Sequence, residues 1–544
     1  MPSYTTADIR NVALVGHSGS GKTSLCEAFL HAAGVTSRLG SIADKTSHLD
    51  TDEEEKERGC SIDSHILNIN HENKVLNLID TPGSPDFLGP AIASLAAAET
   101  AMVVINAAAG IQVNTRRMRE QAKNFGLARI IVVNRIDSDS ADLPGLLKAL
   151  QASFGPELTP VNLPTPGRKG VVDCVGSPEG ESDFGSVADC HKDVMERVAE
   201  ASDELMNKYF EAGELSVDER VASLAKAAAA GKSGPVLYTN ARGNVGIKEL
   251  LTFIANCTPS PLDGKQRMLT VGSDEKPLPT NGTFCGQVFK ISIETKSNIK
   301  YAFIRGLTTP GEKKGVRPGH LLKFQGHEHK ETDEGLAGDI FAVAKLDLHI
   351  GDTVFDHQME GKVAMPKFPN PMFSLAVEPK ARGDETKIGE AVRRFTDCDP
   401  CFKTHHDPQT HELVISGVGD MHLRVILAKM HRQFKLDVNT KPPKIPYRET
   451  ITSAADGHHR HKKQTGGAGQ FGEVYLRVEP LDSGGGFEFV NETFGGSIPA
   501  GFLPAIEKGV VQVMTDGAMS GHRMQDIRVA VYDGKHHPVD SKEV

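Results

Sequence analysis

The chain has 544 residues, a net charge of −10, 39% hydrophobic and 24% charged residues, and no apolar run near the ~18 residues a membrane helix needs. That length exceeds what one core organises and predicts about three to five domains, while the acidic balance excludes coating of nucleic acid by overall charge and leaves only local basic loops for such contact. Eight cysteines spread so widely form no disulfide framework, and MPSYTTADIR lacks a secretory signal, so the sequence reads as cytoplasmic.

In chain order, NVALV at 11–15 predicts a short buried strand, followed by a glycine-rich turn and an amphipathic helix from Lys22 to about Ala33. Two further apolar runs, VLNLI at 75–79 and RIIVV at 129–133, alternate with helical stretches, the pattern of a parallel α/β sheet. A charged stretch with helical spacing covers 189–229 and precedes the strand PVLYT at 235–239, which places an insert at about 154–234 within a domain spanning 1–262. The prolines of Thr258-Pro259-Ser260-Pro261 mark a linker because they stiffen the chain and remove backbone donors. Short strands broken by glycine and proline over 263–365 predict a small β-barrel. Residues 366–445 mix the strands FSLAV and ELVIS with helices near 385–396 and 420–434, an α+β domain. The segment 446–544 reads as a further α+β domain that is incomplete.

Gly16-His17-Ser18-Gly19-Ser20-Gly21-Lys22-Thr23 fits GxxxxGK[ST] between a predicted strand and helix, the context that gives this motif meaning. Glycines let backbone N–H groups face phosphates, Lys22 reaches the β- and γ-phosphates, and the Thr23 hydroxyl binds Mg²⁺. Asp80-Thr81-Pro82-Gly83 follows the strand at 75–79 and puts a carboxylate on the Mg²⁺ side, with the Gly83 N–H facing the γ-phosphate. Asn134-Arg135-Ile136-Asp137 follows the next strand, where an amide and a carboxylate read the N–H donors that guanine has and adenine lacks. An isolated Asn-x-x-Asp is most often a turn, but its order after the other two motifs favours a nucleotide site. On its own, the acidic run Asp52–Glu57 reads as a solvated face.

At this point the chain resembles the translational GTPases, and elongation factor G in particular. The resemblance extends to His48–Ile62, the first switch, where Ser61 stands for the Mg²⁺-binding threonine, and to Thr239-Asn240-Ala241, the last turn to touch the nucleotide, with the Ala241 N–H directed at the guanine oxygen. It continues through Val161–Pro164 and Lys169–Asp173 in the insert, Ser374–Pro379 and Gly417–Leu423 in a ferredoxin-like third domain, and Gln464–Gly472 in the fourth. It implies GTP and GDP as ligands, Mg²⁺, and hydrolysis on the ribosome with movement of tRNA and mRNA. It also implies fourth-domain tip contacts with rRNA, tRNA and mRNA at the decoding site through Gly466, Gly467, Ala468, Gly469 and His537. A monomer is expected, with no DNA or membrane partner; roles in ribosome recycling, rescue or protection use the same nucleotide machinery and stay open.

Several positions depart from that family. Elongation factor G has a histidine after D-T-P-G that helps orient the attacking water, and here Ser84 takes the catalytic position beside Lys22 and Gly83. Serine has no imidazole to reach the nucleophile, and losing one positioning group commonly costs orders of magnitude in rate. Gly19 replaces an aspartate, Arg135 a lysine packed over guanine, and Ala468 a tip arginine. The sequence stops soon after DGKHHPVDS, so the remainder of the fourth domain and a fifth are expected to be missing through truncation or to come from another chain. Cys398-x-x-Cys401 with His405 and His406 reads as a surface turn because no second ligand pair completes a zinc site, and the tract His458, His459, His461 as a polar tip.

Overall fold

The computed structural model describes residues 4–542 except 51, 201–202, 213–214, 279–280, 283, 296, 311–319, 327, 356–359, 382 and 465–468. They form two compact units, one of Met1–His405 with Leu413–Pro442, the other of His406–Glu412 with Pro443–Val544.

The first unit begins with a seven-stranded sheet, ordered His65–His71, Lys74–Asp80, Ile9–Val15, Thr100–Asn106, Ala128–Asn134, Gly234–Tyr238 and Leu158–Pro160. Only the first pair is antiparallel. Both faces are covered, which is why these strands read as unbroken apolar runs. Val12 and Leu14 pack with Leu25 and Phe29 on one face, Ala13 and Val15 with Leu88 and Ile92 on the other. Fully burying such a side chain contributes roughly 1.5–3 kcal/mol, enough to fix the register of the central strand. The stretch expected as helical over 189–229 resolves into Val187–Ala199, Asp203–Ala212 and Val217–Ala229. Ser186 caps the first of these, and Ser216 with Glu219 forms a capping box on the third.

The region after the proline linker is all-β. Its main sheet is antiparallel and runs Glu328–Thr332, Leu321–Gln325, Ile340–Ala344, Lys300–Gly306, Cys285–Ile293 and Thr353–Phe355. A buried polar network joins it to the α/β sheet. Arg305, 2% exposed, donates to Glu99 Oε1 at 2.7 Å. Asn11 donates to Glu99 Oε2 at 2.7 Å and to the Gly338 carbonyl at 2.8 Å.

Residues 373–441 follow a strand-helix-strand-strand-helix-strand order. Spatially the strands run Lys403–His406, Leu413–Gly417, Phe373–Pro379 and Val438–Lys441, the ferredoxin-like arrangement. The helices Glu385–Cys398 and Asp420–Phe434 cover it through Ile388, Phe395, Leu423 and Ile426. In the second unit, Ala455–Lys463, Gln470–Pro480, Ile527–Lys535 and Phe487–Asn491 form a four-stranded sheet. The helix Leu503–Asp516 lays Met514 against Ile527 and Val529.

One carboxylate organises a loop of that second unit. Glu449 accepts from the backbone of Ala518, Met519, Ser520 and His522 at 2.8–3.1 Å and from the Ser520 hydroxyl at 2.7 Å. These bonds, the Ser520 hydroxyl first, hold its pKa down to about 2 from 4.5. A depressed carboxyl contributes stability that is complete above the unfolded value and lost as the pH falls through the folded one. Glu449→Gln is therefore expected to lower the melting temperature of the second unit at pH 7, and the gap to the parent chain is expected to narrow as the pH drops below 4.5. Melting curves across a pH series check this, and a gap independent of pH contradicts it. In the first unit, Glu99→Ala strands the Arg305 guanidinium and is expected to cost about 3–5 kcal/mol, read as a lower denaturant midpoint.

Candidate nucleotide-binding and hydrolysis site

Parallel topology brings the carboxyl ends of four strands to one edge, where α/β sheets place their ligands. The strands ending at Val15, Asp80, Asn134 and Tyr238 deliver the four segments that the sequence singles out.

The phosphate loop leaves its strand at Gly16, whose φ of +142° and closeness to the Val104 backbone admit no β-carbon. It enters the helix Lys22–Ala32 through Gly21 in the left-handed region, φ +93°. Ser18 and Gly19 are exposed, His17 is half-buried and Ser20 is buried. Lys22 bends back over the loop and donates to the carbonyls of Gly16 and His17 at 3.2 and 3.1 Å. Burial pushes its pKa down to about 8, and the Asp80 charge opposes that shift.

Thr23, Ser61 and Asp80 come together as expected from three distant parts of the sequence. The Thr23 hydroxyl donates to Asp80 Oδ2 at 2.7 Å and lies 3.0 Å from Ser61 Oγ. Asp80 Oδ1 is buried and has no hydrogen-bond partner among the described residues. Burial raises the Asp80 pKa, against the Thr23 hydrogen bond and the Lys22 charge. Two hydroxyls and a carboxylate with an unused oxygen fit a hard cation that keeps several waters and phosphate oxygens, as Mg²⁺ does.

Thr81 turns inward and donates to the Leu14 carbonyl at 2.6 Å, and Pro82 is buried. This brings Gly83 onto the phosphate loop so closely that a β-carbon there would strike the Lys22 ammonium and lie 2.6 Å from Ser18 N. Ser84 follows, half-buried, at the start of the short helix Pro85–Phe87.

At the base end, Asn134 does not present its amide outward. Its Nδ2 donates to the Ser20 carbonyl at 3.2 Å, and its Oδ1 accepts from Arg135 N at 2.9 Å and Ala241 N at 3.0 Å. The Ala241 N–H, expected to face the guanine oxygen, is thus bonded to Asn134, because the turn it lies in packs directly on that side chain. Asn240 closes this turn through paired backbone bonds with Val245 and by accepting from Gly243 N at 3.2 Å. Asp137 is exposed. These segments line a cavity of about 440 Å³ that includes Lys22, Thr23, Ser61, Gly83 and Arg135.

Several supporting residues escape sequence reasoning. Asn114, fully buried, donates to the Gly83 carbonyl at 2.8 Å and sets the orientation of that peptide. Arg168, from the insert, donates to the carbonyls of Ile136, Ser138 and Ala141 at 2.8–3.2 Å and clamps the segment carrying Asp137. Glu27 accepts from Ser47 Oγ, His48 N and Leu49 N at 2.7–3.3 Å, which pins the start of the first switch to the helix after the phosphate loop. Only Glu27 left a signal, a carboxylate among the apolar positions of an amphipathic helix.

The acidic run of that switch is no solvated face. Glu53–Arg58 is a helix capped by Asp52 and closed by Gly59 at φ +62°. Glu54 and Glu55 are buried. Glu55 accepts from Ile62 N and Asp63 N at 2.9 and 3.2 Å, which holds the chain directly after Ser61 in line. Asp52 pairs with Lys429 at 2.7 Å, Glu54 with Arg432 at 3.2 Å, and Glu57 with Arg432. The switch thereby leans on the helix Asp420–Phe434.

In the second unit Gly469 and Phe471 adjoin the expected tip segment DGKHHPVDS. Phe471 N donates to the Asp540 carbonyl at 3.0 Å, and Ser541 Oγ donates to the Phe471 carbonyl at 2.7 Å. His537 is exposed, and a β-carbon on Gly469 would lie 2.7 Å from the Asp540 carboxylate. Gly466, Gly467 and Ala468 lie outside the described residues.

Known proteins match this arrangement along the whole chain. Residues 7–260 fit the elongation factor Tu GTP binding domain, 368–442 domain III of elongation factor G, and 443–544 its domain IV. An elongation factor G-like protein of Thermotoga maritima is 34% identical over 562 aligned positions, covering 99% of this chain and 82% of that protein. The chain belongs to the elongation factor G-like translational GTPases. A crystal structure of a Thermus thermophilus protein superimposes with a TM-score of 0.85 at 31% identity, again over 99% of this chain and 82% of the other. Membership accounts for guanine-nucleotide binding by the first domain, and among the described residues no helix is long and apolar enough to cross a membrane.

The tight seat of Gly83 gives a direct test. Gly83→Ala is expected to displace Lys22 and the Ser18 backbone and weaken GTP binding at least ~10-fold, since one charge-assisted contact is worth about 1.5–3 kcal/mol, with a lower melting temperature from the backbone clash. Titration of a fluorescent GTP analogue with parallel melting curves checks this, and parent-like affinity contradicts it.

Proposed function

We propose that this chain binds GTP together with Mg²⁺, docks on the ribosome in that state, hydrolyses GTP to GDP and phosphate, and promotes movement of tRNA and mRNA. The observation that carries the reading is the convergence of Thr23, Ser61 and Asp80 beside Lys22 and Gly83. Phosphoryl transfer needs little covalent help from a protein and depends on positioning and charge. Lys22 would hold the β- and γ-phosphate oxygens, and the Gly83 N–H, seated on the phosphate loop, would meet the γ-phosphate. Thr23, Ser61 and Asp80 would hold the cation, and the chemistry Mg²⁺ supplies when bound is neutralisation of charge on the phosphate oxygens. Asp137 would read the guanine edge from the slot that Asn134, Asn240 and Ala241 build. The tip segments around Gly469 and His537 would meet RNA at the decoding site, with Arg460, Lys462 and Lys463 nearby for phosphate contacts. A cytoplasmic location follows from work on the ribosome.

Ser84 favours a second reading, in which hydrolysis is slow and GTP chiefly stabilises a ribosome-bound conformation, as a recycling, rescue or protection factor would use it. Multiple-turnover phosphate release with and without ribosomes separates the two. Stimulation by ribosomes, with a further rise of at least ~10-fold in Ser84→His as one positioning group is restored, is the expected result. Absence of both effects would sink the hydrolytic reading and leave nucleotide-dependent binding.

A further inference from the structure

The phosphate end of the cavity carries a hydroxyl that the contacts described so far do not use. Ser84 directly follows Gly83 but does not line this cavity. It opens the short helix Pro85–Phe87, and Phe87 is anchored in an apolar cluster with Ile62 and Val425. Ser18 does line the cavity, together with Lys22, Cys60 and Gly83. A β-carbon on Gly83 would strike the Lys22 ammonium and lie 2.6 Å from Ser18 N, so Ser18 sits where Lys22 and Gly83 converge. Its side chain is exposed, and among the described residues its hydroxyl has no hydrogen-bond partner.

The other small polar side chains of the lining are engaged elsewhere. Thr23 and Ser61 lie 3.0 Å apart on the cation side, with Thr23 donating to Asp80, and Ser24 belongs to the helix beyond Thr23. Burial, followed by the Glu55 charge, raises the Cys60 pKa, so this thiol stays neutral and is a weak hydrogen-bond partner. A hydroxyl donates one hydrogen bond and accepts two, which lets it hold a water molecule and a phosphate oxygen at once. The nucleophile in phosphoryl transfer approaches the γ-phosphorus in line with the leaving oxygen, hence from the outer side of the γ-phosphate. We propose that Ser18 is the water-positioning residue of this chain, its Oγ accepting from the attacking water and its own proton donated to a γ-phosphate oxygen. As the water oxygen bonds to the γ-phosphorus, the bond to the bridging oxygen breaks and its electron pair stays on GDP. One water proton remains on the transferred oxygen and the other passes to a γ-phosphate oxygen, so that GDP and phosphate are the products. The inference rests on the hydrolytic reading above and supplies the positioning group that Ser84, outside the cavity lining, does not.

The test uses the full chain with Mg²⁺ and ribosomes, measuring single-turnover phosphate release over a range of GTP concentrations, alongside titration of a fluorescent GTP analogue and melting curves. Ser18→Ala is expected to lower the maximal rate at least ~10-fold, as loss of a positioning group does, with KM, GTP affinity and melting temperature unchanged. Ser18→Thr, which keeps the hydroxyl, is expected to retain most of the parent rate. An unchanged maximal rate in Ser18→Ala overturns the proposal. So does a loss of rate matched by an equal loss of GTP affinity, which would make Ser18 a phosphate contact, and so does a loss that Ser18→Thr reproduces in full, which would make the effect one of loop packing. Absence of phosphate release from the parent chain would overturn the hydrolytic reading itself, a result distinct from an unaffected variant.

Discussion

The hydrogen bond from Thr23 to Asp80, 2.7 Å long and buried, ties the helix after the phosphate loop to the end of the neighbouring strand. Around it the protein keeps charges it does not fully satisfy. Lys22 is pushed down and Asp80 up by the same burial, and Asp80 Oδ1 has no partner among the described residues. Unpaired charge in a dry site is costly, so the arrangement is stable only in the measure that a ligand completes it. An anion on the Lys22 side and a cation on the Asp80 side do so together, which is the requirement of a metal–nucleotide pair.

That pair of demands is transmitted outward by a few side chains with two ends. Asn134 joins the phosphate loop to the Ala241 turn, so the base slot and the phosphate cradle move as one piece. Asn114 anchors the Gly83 carbonyl, and Glu55 holds the segment directly after Ser61. Beyond Glu55, the ion pairs of Lys429 and Arg432 attach the first switch to the ferredoxin-like part of the first unit. Loss of whatever holds Ser61 in place would therefore be felt at the helix Asp420–Phe434, a route by which the state of the nucleotide reaches a neighbouring domain.

Much of this was legible in the amino-acid sequence because local chemistry dictates it. A buried parallel strand, a glycine turn and an amphipathic helix leave a joint signature, and each of the three motifs sits at a strand end whose position the topology then fixes. The helices near 385 and 420 followed from periodicity, and the ferredoxin-like order from the family resemblance. Less legible were contacts between segments far apart. Asn114 and Arg168 carry ordinary polar side chains in ordinary contexts, and only the fold brings them to Gly83 and to the Asp137 loop. The acidic run at 52–57 misleads by composition, since its charges are neutralised by partners some 370 residues later, Lys429 and Arg432. The Ala241 N–H is placed at the base by the family resemblance alone, and its bond to Asn134 left no mark in the sequence.

Everything above turns on this edge of the sheet holding a guanine nucleotide, selected by the carboxylate of Asp137. Equilibrium competition among GTP, ATP and XTP, with the parent chain and with Asp137→Asn, puts that selection to the test. A carboxylate accepts from the two N–H groups of the guanine edge, whereas an amide also donates to the oxygen that xanthine has in place of one of them. The expected result is strong preference for GTP over ATP and XTP in the parent chain and a switch toward XTP in the variant. Equal binding of ATP and GTP by the parent chain, or an unchanged preference in Asp137→Asn, would contradict it.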